Sequence, residues 1–159
     1  MNAPATTDSA DRIERSILIN APREKVWRAL SDAESFGTWF GADLKGQTFA
    51  PQQRTLGKIT ICGFEHVAFD VIVERMEAPQ LMSYHWHPYA VKPEVDYEQE
   101  ERTVVTFTLK EAPGNATLLT VVETGFSKLP PDRYPDAFRA NGRGWEAQLK
   151  NVMTYAEQA

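Results

Sequence analysis

The segment DAFRANGRGWEAQLKNVMTYAEQA, residues 136–159, decides the fold class of this chain. Its large and mostly apolar side chains recur every three or four residues, which places them on one face of an α-helix. The positions that share this face are Phe138, Asn141, Trp145, Leu149, Val152 and Ala156. The segment therefore predicts one long amphipathic helix, whose apolar face must be buried against another part of the chain.

The sequence before this helix has the period of two that is typical of β-strands. Residues 12–20, RIERSILIN, alternate apolar and polar side chains. Similar patterns at 65–77, 81–87, 103–109 and 117–123, with shorter ones near 43–47 and 58–61, predict further strands. The turn residues EAPGN, 111–115, join two of these strands as a hairpin. The strands therefore predict an antiparallel sheet.

Two short helices are predicted between the first strand and the rest of the sheet. Pro22 suits a first helical position, Ser31 and Glu34 are spaced as a capping box, and Gly37 is expected to end the second helix before Trp39. The order is an α+β layout: strand, two short helices, five or six strands, long helix. A bent sheet around one long helix leaves a hollow between them, in which a ligand would sit.

Composition predicts a single globular domain. The chain has 159 residues, of which 42% are hydrophobic, and one cysteine, Cys62, so an internal disulfide is impossible. We expect one domain over residues 12–159 and a disordered tail over 1–11, whose polar sequence is neither a signal peptide nor an anchor. The net charge of −5, with scattered Lys and Arg, argues against nucleic acid, and no apolar run is long enough for a membrane span. The expected location is the cytoplasm.

Four segments taken in order resemble the family of the activator of Hsp90 ATPase homologue 1-like proteins, in the START/Bet v 1-like superfamily. They are INAPREKVWRALSDAESFGTWF at 19–40, VERMEAPQLMSYHW at 73–86, TVVTFTLKEAPGNATLLTVVETGF at 103–126 and GRGWEAQLKNV at 142–152. The resemblance covers about Arg12 to Ala156 and implies a helix-grip fold, in which a curved antiparallel sheet surrounds the long C-terminal helix.

The resemblance implies binding of a small apolar, aromatic or lipid-like molecule in a cavity between the sheet and this helix. The superfamily also contains polyketide cyclases and co-chaperone domains, because one fold hosts several functions. Two alternatives therefore stay open: a cyclase or dehydratase type of enzyme, and a co-chaperone-like module that acts on Hsp90. No cofactor is implied, and the chain is expected to be a monomer or a homodimer.

The stretch LMSYHWHPYA, residues 81–90, carries candidate pocket residues. Neighbouring side chains on a strand point to opposite faces, so Met82, Tyr84 and Trp86 share one face. Alignment with the family directs this face towards the cavity, where the two rings line a pocket or pack the core. The full set of predicted ligand-binding residues is Trp39, Phe69, Tyr84, Trp86, Phe107, Glu123, Asn141 and Trp145. Phe40 is a further candidate, either at the cavity mouth or in the core.

Glu123 is the most informative polar residue, and with Tyr84 it is the candidate for acid–base catalysis. It continues the inward register of Thr117, Leu119 and Val121, so it faces either the cavity or, near the strand end, solvent. A buried carboxylate requires a partner, for which Arg15 is one possibility, or a raised pKa. Gly142 and Gly144 weaken the long helix and predict a close approach of its backbone to the sheet or the ligand.

The histidines allow a metal site but do not favour it. His85 and His87 share the outer face of their strand, and His66 or Glu65 could supply a third ligand. A stable zinc site needs three or four converging ligands, and the one thiol lies elsewhere in the sequence. We therefore predict no metal and expect surface histidines on the sheet.

Overall fold

The computed structural model describes residues 5–158, which form one antiparallel sheet of eight strands and three α-helices. The strand order across the sheet is β1-β2-β8-β7-β6-β5-β4-β3. The strands are β1 (Ala5–Ser9), β2 (Arg12–Ile19), β3 (Ala42–Asp43), β4 (Arg54–Ile59), β5 (Ala68–Glu77), β6 (Leu81–Trp86), β7 (Thr103–Ala112) and β8 (Ala116–Thr124). The helices are α1 (Arg23–Ser31), α2 (Ala33–Phe40) and α3 (Tyr134–Glu157), with 3-10 turns at Tyr97–Gln99 and Phe126–Lys128. The α+β helix-grip prediction is confirmed.

The long helix α3 buries one face, as its spacing predicts. Trp145, Leu149, Val152 and Ala156 are buried, whereas Phe138 and Asn141 at the start of the stripe are partly exposed. The helix packs mainly against β2, next to β8 in the sheet. Sheet and helix thus form two layers with the core between them.

The N-terminal segment differs from the expected disordered tail. Residues 5–9 form β1, which pairs antiparallel with β2 from Ala5 opposite Ser16 to Ser9 opposite Arg12. As an edge strand, β1 pairs its backbone with one neighbouring strand only. Residues 1–4, which the same expectation covers, lie outside the described residues.

The two short helices form where expected, but their ends differ. Asp32, not Ser31, caps α2, since its side chain accepts from the Ser35 backbone N–H at 3.0 Å. Gly37 does not end the helix, which continues to Phe40 and ends at Gly41 in the left-handed conformation with φ of 98°. Gly37 allows close packing instead, because a Cβ there would lie 2.4 Å from the Ala42 carbonyl oxygen.

The centre of the molecule is filled by aromatic rings. Phe36 of α2 is fully buried, and its ring centroid lies 5.7 Å from that of Phe69, 6.3 Å from Tyr84 and 6.4 Å from Phe107. The hollow expected between sheet and helix is therefore partly closed by α2. One open space lies towards the N-terminal half of α3, where Asn141 and Gly144 contribute to its lining.

Over residues 5–158, no helix combines the length and the apolar character that a bilayer crossing requires.

Candidate functional site

Glu123 on β8 is fully buried and lies at the centre of a polar cluster. Its Oε2 accepts from the Trp86 indole N–H at 2.8 Å and from the Thr103 hydroxyl at 2.6 Å. Its Oε1 accepts from the Trp145 indole N–H at 2.8 Å, and the Asn141 side-chain N–H group contacts both oxygens, at 2.9 and 3.1 Å. The carboxyl group therefore ties β6, β7 and β8 to α3.

The environment of Glu123 explains how a carboxyl group is tolerated in the core. Burial raises the pKa of Glu123 above its ordinary value, and hydrogen bonds from Thr103, Trp86, Trp145 and Asn141 act in the opposite direction. The expectation that this residue reaches solvent at the strand end is wrong, because α3 covers that end of β8. The charged partner considered for it, Arg15, instead donates to Glu146 of α3 at 3.2 Å.

Tyr84 lies in the core and not at the wall of a pocket. Its ring is fully buried, and its hydroxyl group has no hydrogen-bond partner among the described residues. Burial, with the nearby Glu123 carboxyl group, raises the pKa of Tyr84 well above its usual value. The hydroxyl is thus held in the protonated form.

An apolar cleft of about 330 Å³ opens beside this cluster. Its walls are the end of α2, strands β4 to β6, the β4–β5 loop, the segment after β6, and α3. The lining residues are Phe40, Ile59, Ile61, Phe64, Val67, Ala68, Phe69, Trp86, His87, Tyr89, Ala90, Val91, Ala140, Asn141 and Gly144. A smaller space of about 120 Å³ adjoins it along α3, where Trp145 and Gln148 also contribute.

The predicted ligand-binding residues divide into two groups. Phe69, Trp86 and Asn141 line the cleft, and Trp145 lines the smaller space beside it. Trp39, Tyr84, Phe107 and Glu123 are buried and are absent from both linings. Trp39 donates its indole N–H to the Ala29 carbonyl oxygen at 2.8 Å, so it joins α2 to α1.

The sequence argument missed several residues of the cleft, among them Ile61, Phe64, Tyr89 and His87. Ile61, Phe64 and Tyr89 are exposed apolar side chains at its lining. Phe64 and Tyr89 come from loops without a periodic pattern, and Ile61 ends the strand predicted at 58–61 but lies after β4, which ends at Ile59. The apolar residues of TICGF, 60–64, which continue past that predicted strand, are the signal that could have found part of this group.

His87 is a correction to the expectation of surface histidines. Strand β6 ends at Trp86, so the alternation that assigned His87 to the outer face no longer applies. Its side chain is 8% exposed, its Nε2 lies 3.7 Å from a Glu98 carboxyl oxygen, and neither ring nitrogen makes a hydrogen bond within the described chain. Burial, together with the Arg102 guanidinium, lowers the pKa of His87, so its ring is neutral at neutral pH.

The histidines do not converge on a common point. His85 faces Glu74 at 3.3 Å, and His66 contacts the Val91 carbonyl oxygen at 2.8 Å. Among the side chains that the structure describes, no three of His, Cys, Asp or Glu are grouped as a metal site would require.

A family model described as "Activator of Hsp90 ATPase homolog 1-like protein" matches residues 20–157. The chain belongs to this family. The match includes both tryptophans of the Glu123 cluster and all the segments that line the cleft. No curated protein gives a significant sequence match to the chain.

Solved structures of other proteins have a similar fold. A protein from Mesorhizobium loti is 25% identical, with a TM-score of 0.69 over 91% of this chain and 95% of its own. A protein from Chromobacterium violaceum is 18% identical, with a TM-score of 0.68 over 95% of this chain and 100% of its own. One from Arthrobacter aurescens is 13% identical, with a TM-score of 0.73 over 98% and 92%. The last two likenesses concern the fold alone.

Proposed function

We propose that this protein binds a small apolar or aromatic molecule in the cleft between the sheet and α3. The observation that carries the proposal is the composition of the cleft, which is lined by Phe40, Phe69 and Trp86 and opens past exposed Ile61 and Phe64. Ligand pockets of this kind are mostly apolar and measure roughly 300–1,000 Å³, so the volume suits a molecule of one to three rings.

The geometry supports binding more than acid–base catalysis by Glu123 and Tyr84. A general base must come within hydrogen-bonding reach of its substrate. Glu123 is instead surrounded by four donors from the protein, and neither residue belongs to the lining of the cleft. A reaction that used them would require α3 or Trp86 to move away first.

The cleft can be blocked by one substitution that the fold tolerates. Gly144 lines the cleft, and a Cβ at this position has no heavy atom within 4 Å. Gly144→Leu would extend a side chain into the open space while replacing a weak helix former by a strong one. Ala147 is exposed on the same helix and outside the lining, so Ala147→Leu is the matched control.

The test is isothermal titration of the full chain with naphthalene and with n-decanol. We expect binding to the unmodified protein and to Ala147→Leu, and a loss of roughly tenfold or more in affinity for Gly144→Leu, whose thermal stability should not fall. Equal affinity in Gly144→Leu would show that these probes bind elsewhere. Absence of binding by either probe, with no ligand-induced rise in melting temperature, would reject the proposed function.

A further inference from the structure

The cleft contains one hydrogen-bonding side chain whose orientation the protein fixes. Asn141 directs its NH₂ group at both carboxyl oxygens of Glu123. Both Glu123 oxygens also accept from Trp86, Thr103 or Trp145, so they act as acceptors, and the amide cannot turn its own oxygen towards them without loss. The side-chain oxygen Oδ1 is therefore left as an acceptor, and no donor to it is found among residues 5–158.

The charge around the cleft excludes an anionic ligand. Its lining contains no Asp, Glu, Lys or Arg side chain among the described residues. His87, the one lining residue that titrates near neutral pH, is kept neutral by its surroundings. Glu123 lies behind the wall, one hydrogen bond away through Asn141 or Trp86. A carboxylate ligand would therefore lose its hydration without gaining a cationic side chain of the lining in return.

Within the described residues, the cleft also offers no free carboxyl oxygen to a cationic ligand. The oxygens of Glu123 are occupied by four protein donors, so none is free to pair with an ammonium group. Aromatic faces attract cations, but the gain is modest where the site stays open to water.

We infer that the cleft prefers an uncharged aromatic molecule that donates a hydrogen bond to Oδ1 of Asn141, as a phenol or an indole does. The inference rests on the proposed function and narrows its ligand class. An aromatic ligand suits these walls because Phe40, Phe69 and Trp86 line the cleft, and aromatic rings pack favourably against one another, as these three do with centroid distances of 6.0 Å from Phe40 to Trp86 and 6.5 Å from Phe69 to Trp86.

Four naphthalene derivatives that differ in one group test the inference at neutral pH by titration calorimetry of the full chain. They are 2-naphthol, 2-methylnaphthalene, 2-naphthoate and 2-naphthylmethylammonium. One good hydrogen bond corresponds to roughly a fivefold to tenfold gain in affinity, so we expect 2-naphthol to bind that much tighter than 2-methylnaphthalene. The two ions should bind more weakly than either.

Two variants test which groups of the cleft cause the differences in affinity among these probes. In Asn141→Ser the ratio of affinities for 2-naphthol and 2-methylnaphthalene should fall towards one, and the ratio cancels any general loosening of the site. In Ala140→Lys, which places an ammonium group on the cleft wall, the affinity for 2-naphthoate should rise roughly fivefold or more relative to the unmodified chain.

The outcomes separate the inference from the function on which it rests. Equal affinities for 2-naphthol and 2-methylnaphthalene, or tighter binding of either ion, would overturn the inference while the binding function stands. An unchanged ratio in Asn141→Ser would overturn the role of Oδ1 in the same way. If none of the four probes binds, the proposed function fails and the inference fails with it.

Discussion

Glu123 holds together residues that lie far apart in the sequence. Each of its two oxygens accepts from an indole N–H, Trp86 on Oε2 and Trp145 on Oε1. An indole N–H can only donate, so it needs an acceptor at both positions. The residue first considered as a catalytic base therefore has a clear structural role, which is to satisfy buried donors from the sheet and from α3.

Glu123→Gln tests this role. Glutamine has one oxygen and one NH₂ group, so in either orientation one indole N–H faces a donor and is left unsatisfied. We expect the free energy of unfolding to fall by roughly 1–3 kcal/mol, as denaturant titration would measure. Thr103→Val is the matched control, because it removes one donor and keeps both acceptors, and it should cost less. Full stability in the glutamine variant would contradict the role.

The stability difference should also depend on pH. Because the pKa of Glu123 is raised in the folded state, its contribution is largest below the ordinary value of 4.5 and is lost as the pH rises through the folded pKa. The advantage of the unmodified protein over Glu123→Gln should therefore shrink as the pH rises above 4.5. If the advantage instead grew with pH, the hydrogen bonds would lower the pKa of Glu123 by more than burial raises it.

At the scale of the element, α3 contains two glycines with different surroundings. A Cβ at Gly142 would lie 3.0 Å from an Arg15 guanidinium nitrogen, whereas one at Gly144 would meet no heavy atom within 4 Å. Arg15 is 4% exposed under the helix, where its guanidinium group donates to the Glu146 carboxyl group and to the Glu14 carbonyl oxygen. Gly142 thus lies on the side of α3 that packs against the sheet, and Gly144 lies on the side that faces the cleft.

Alanine substitutions should separate these two environments. Gly144→Ala removes the conformational cost of glycine in a helix, so the free energy of unfolding should rise by about 1 kcal/mol. Gly142→Ala has the same intrinsic gain, but its methyl group must displace the buried Arg15 side chain, so the increase should be smaller or negative. Thermal unfolding of both variants measures this difference. If both variants gained the same stability, the Arg15 side chain would shift at no cost in free energy.

At the scale of the whole molecule, Asp70 connects strands on the outer face of the sheet. It accepts from Arg54 of β4 at 2.8 and 2.7 Å and from Arg102, just before β7, at 3.4 Å. Burial acts to raise its pKa, but the hydrogen bond and charge of Arg54, with the charge of Arg102, lower the pKa of Asp70 below 3.8. The group therefore stabilises the fold at neutral pH.

Acid unfolding should reveal this connection. A lowered pKa means that the stabilisation is present above pH 3.8 and is lost as the pH falls through the folded value. Asp70→Asn should lower stability at neutral pH by about 1 kcal/mol, since Arg54 is half exposed, and should flatten the loss of stability in acid. If the stability of Asp70→Asn fell in acid as steeply as that of the unmodified protein, Asp70 would not be a cause of the acid unfolding.

The amino-acid sequence by itself determined the order of the three helices and of the strands that follow β1. The period of two in RIERSILIN and the spacing of Trp145, Leu149 and Val152 predict strand and helix, because such patterns report which face of a local segment is buried. The inward register of Glu123 was also readable, since it follows from alternation along one strand.

Only the tertiary structure decided what surrounds these elements. Phe36 partly closes the expected hollow, and the donors to Glu123 come from two strands and a helix, at up to 37 residues from Glu123 in sequence. The cleft is likewise assembled from the loops around Phe64 and Tyr89, which carry no periodic pattern. Periodicity shows which face of a segment is buried, but not which other segment covers that face. A pocket depends on which side chains of different segments meet and on how much space they leave.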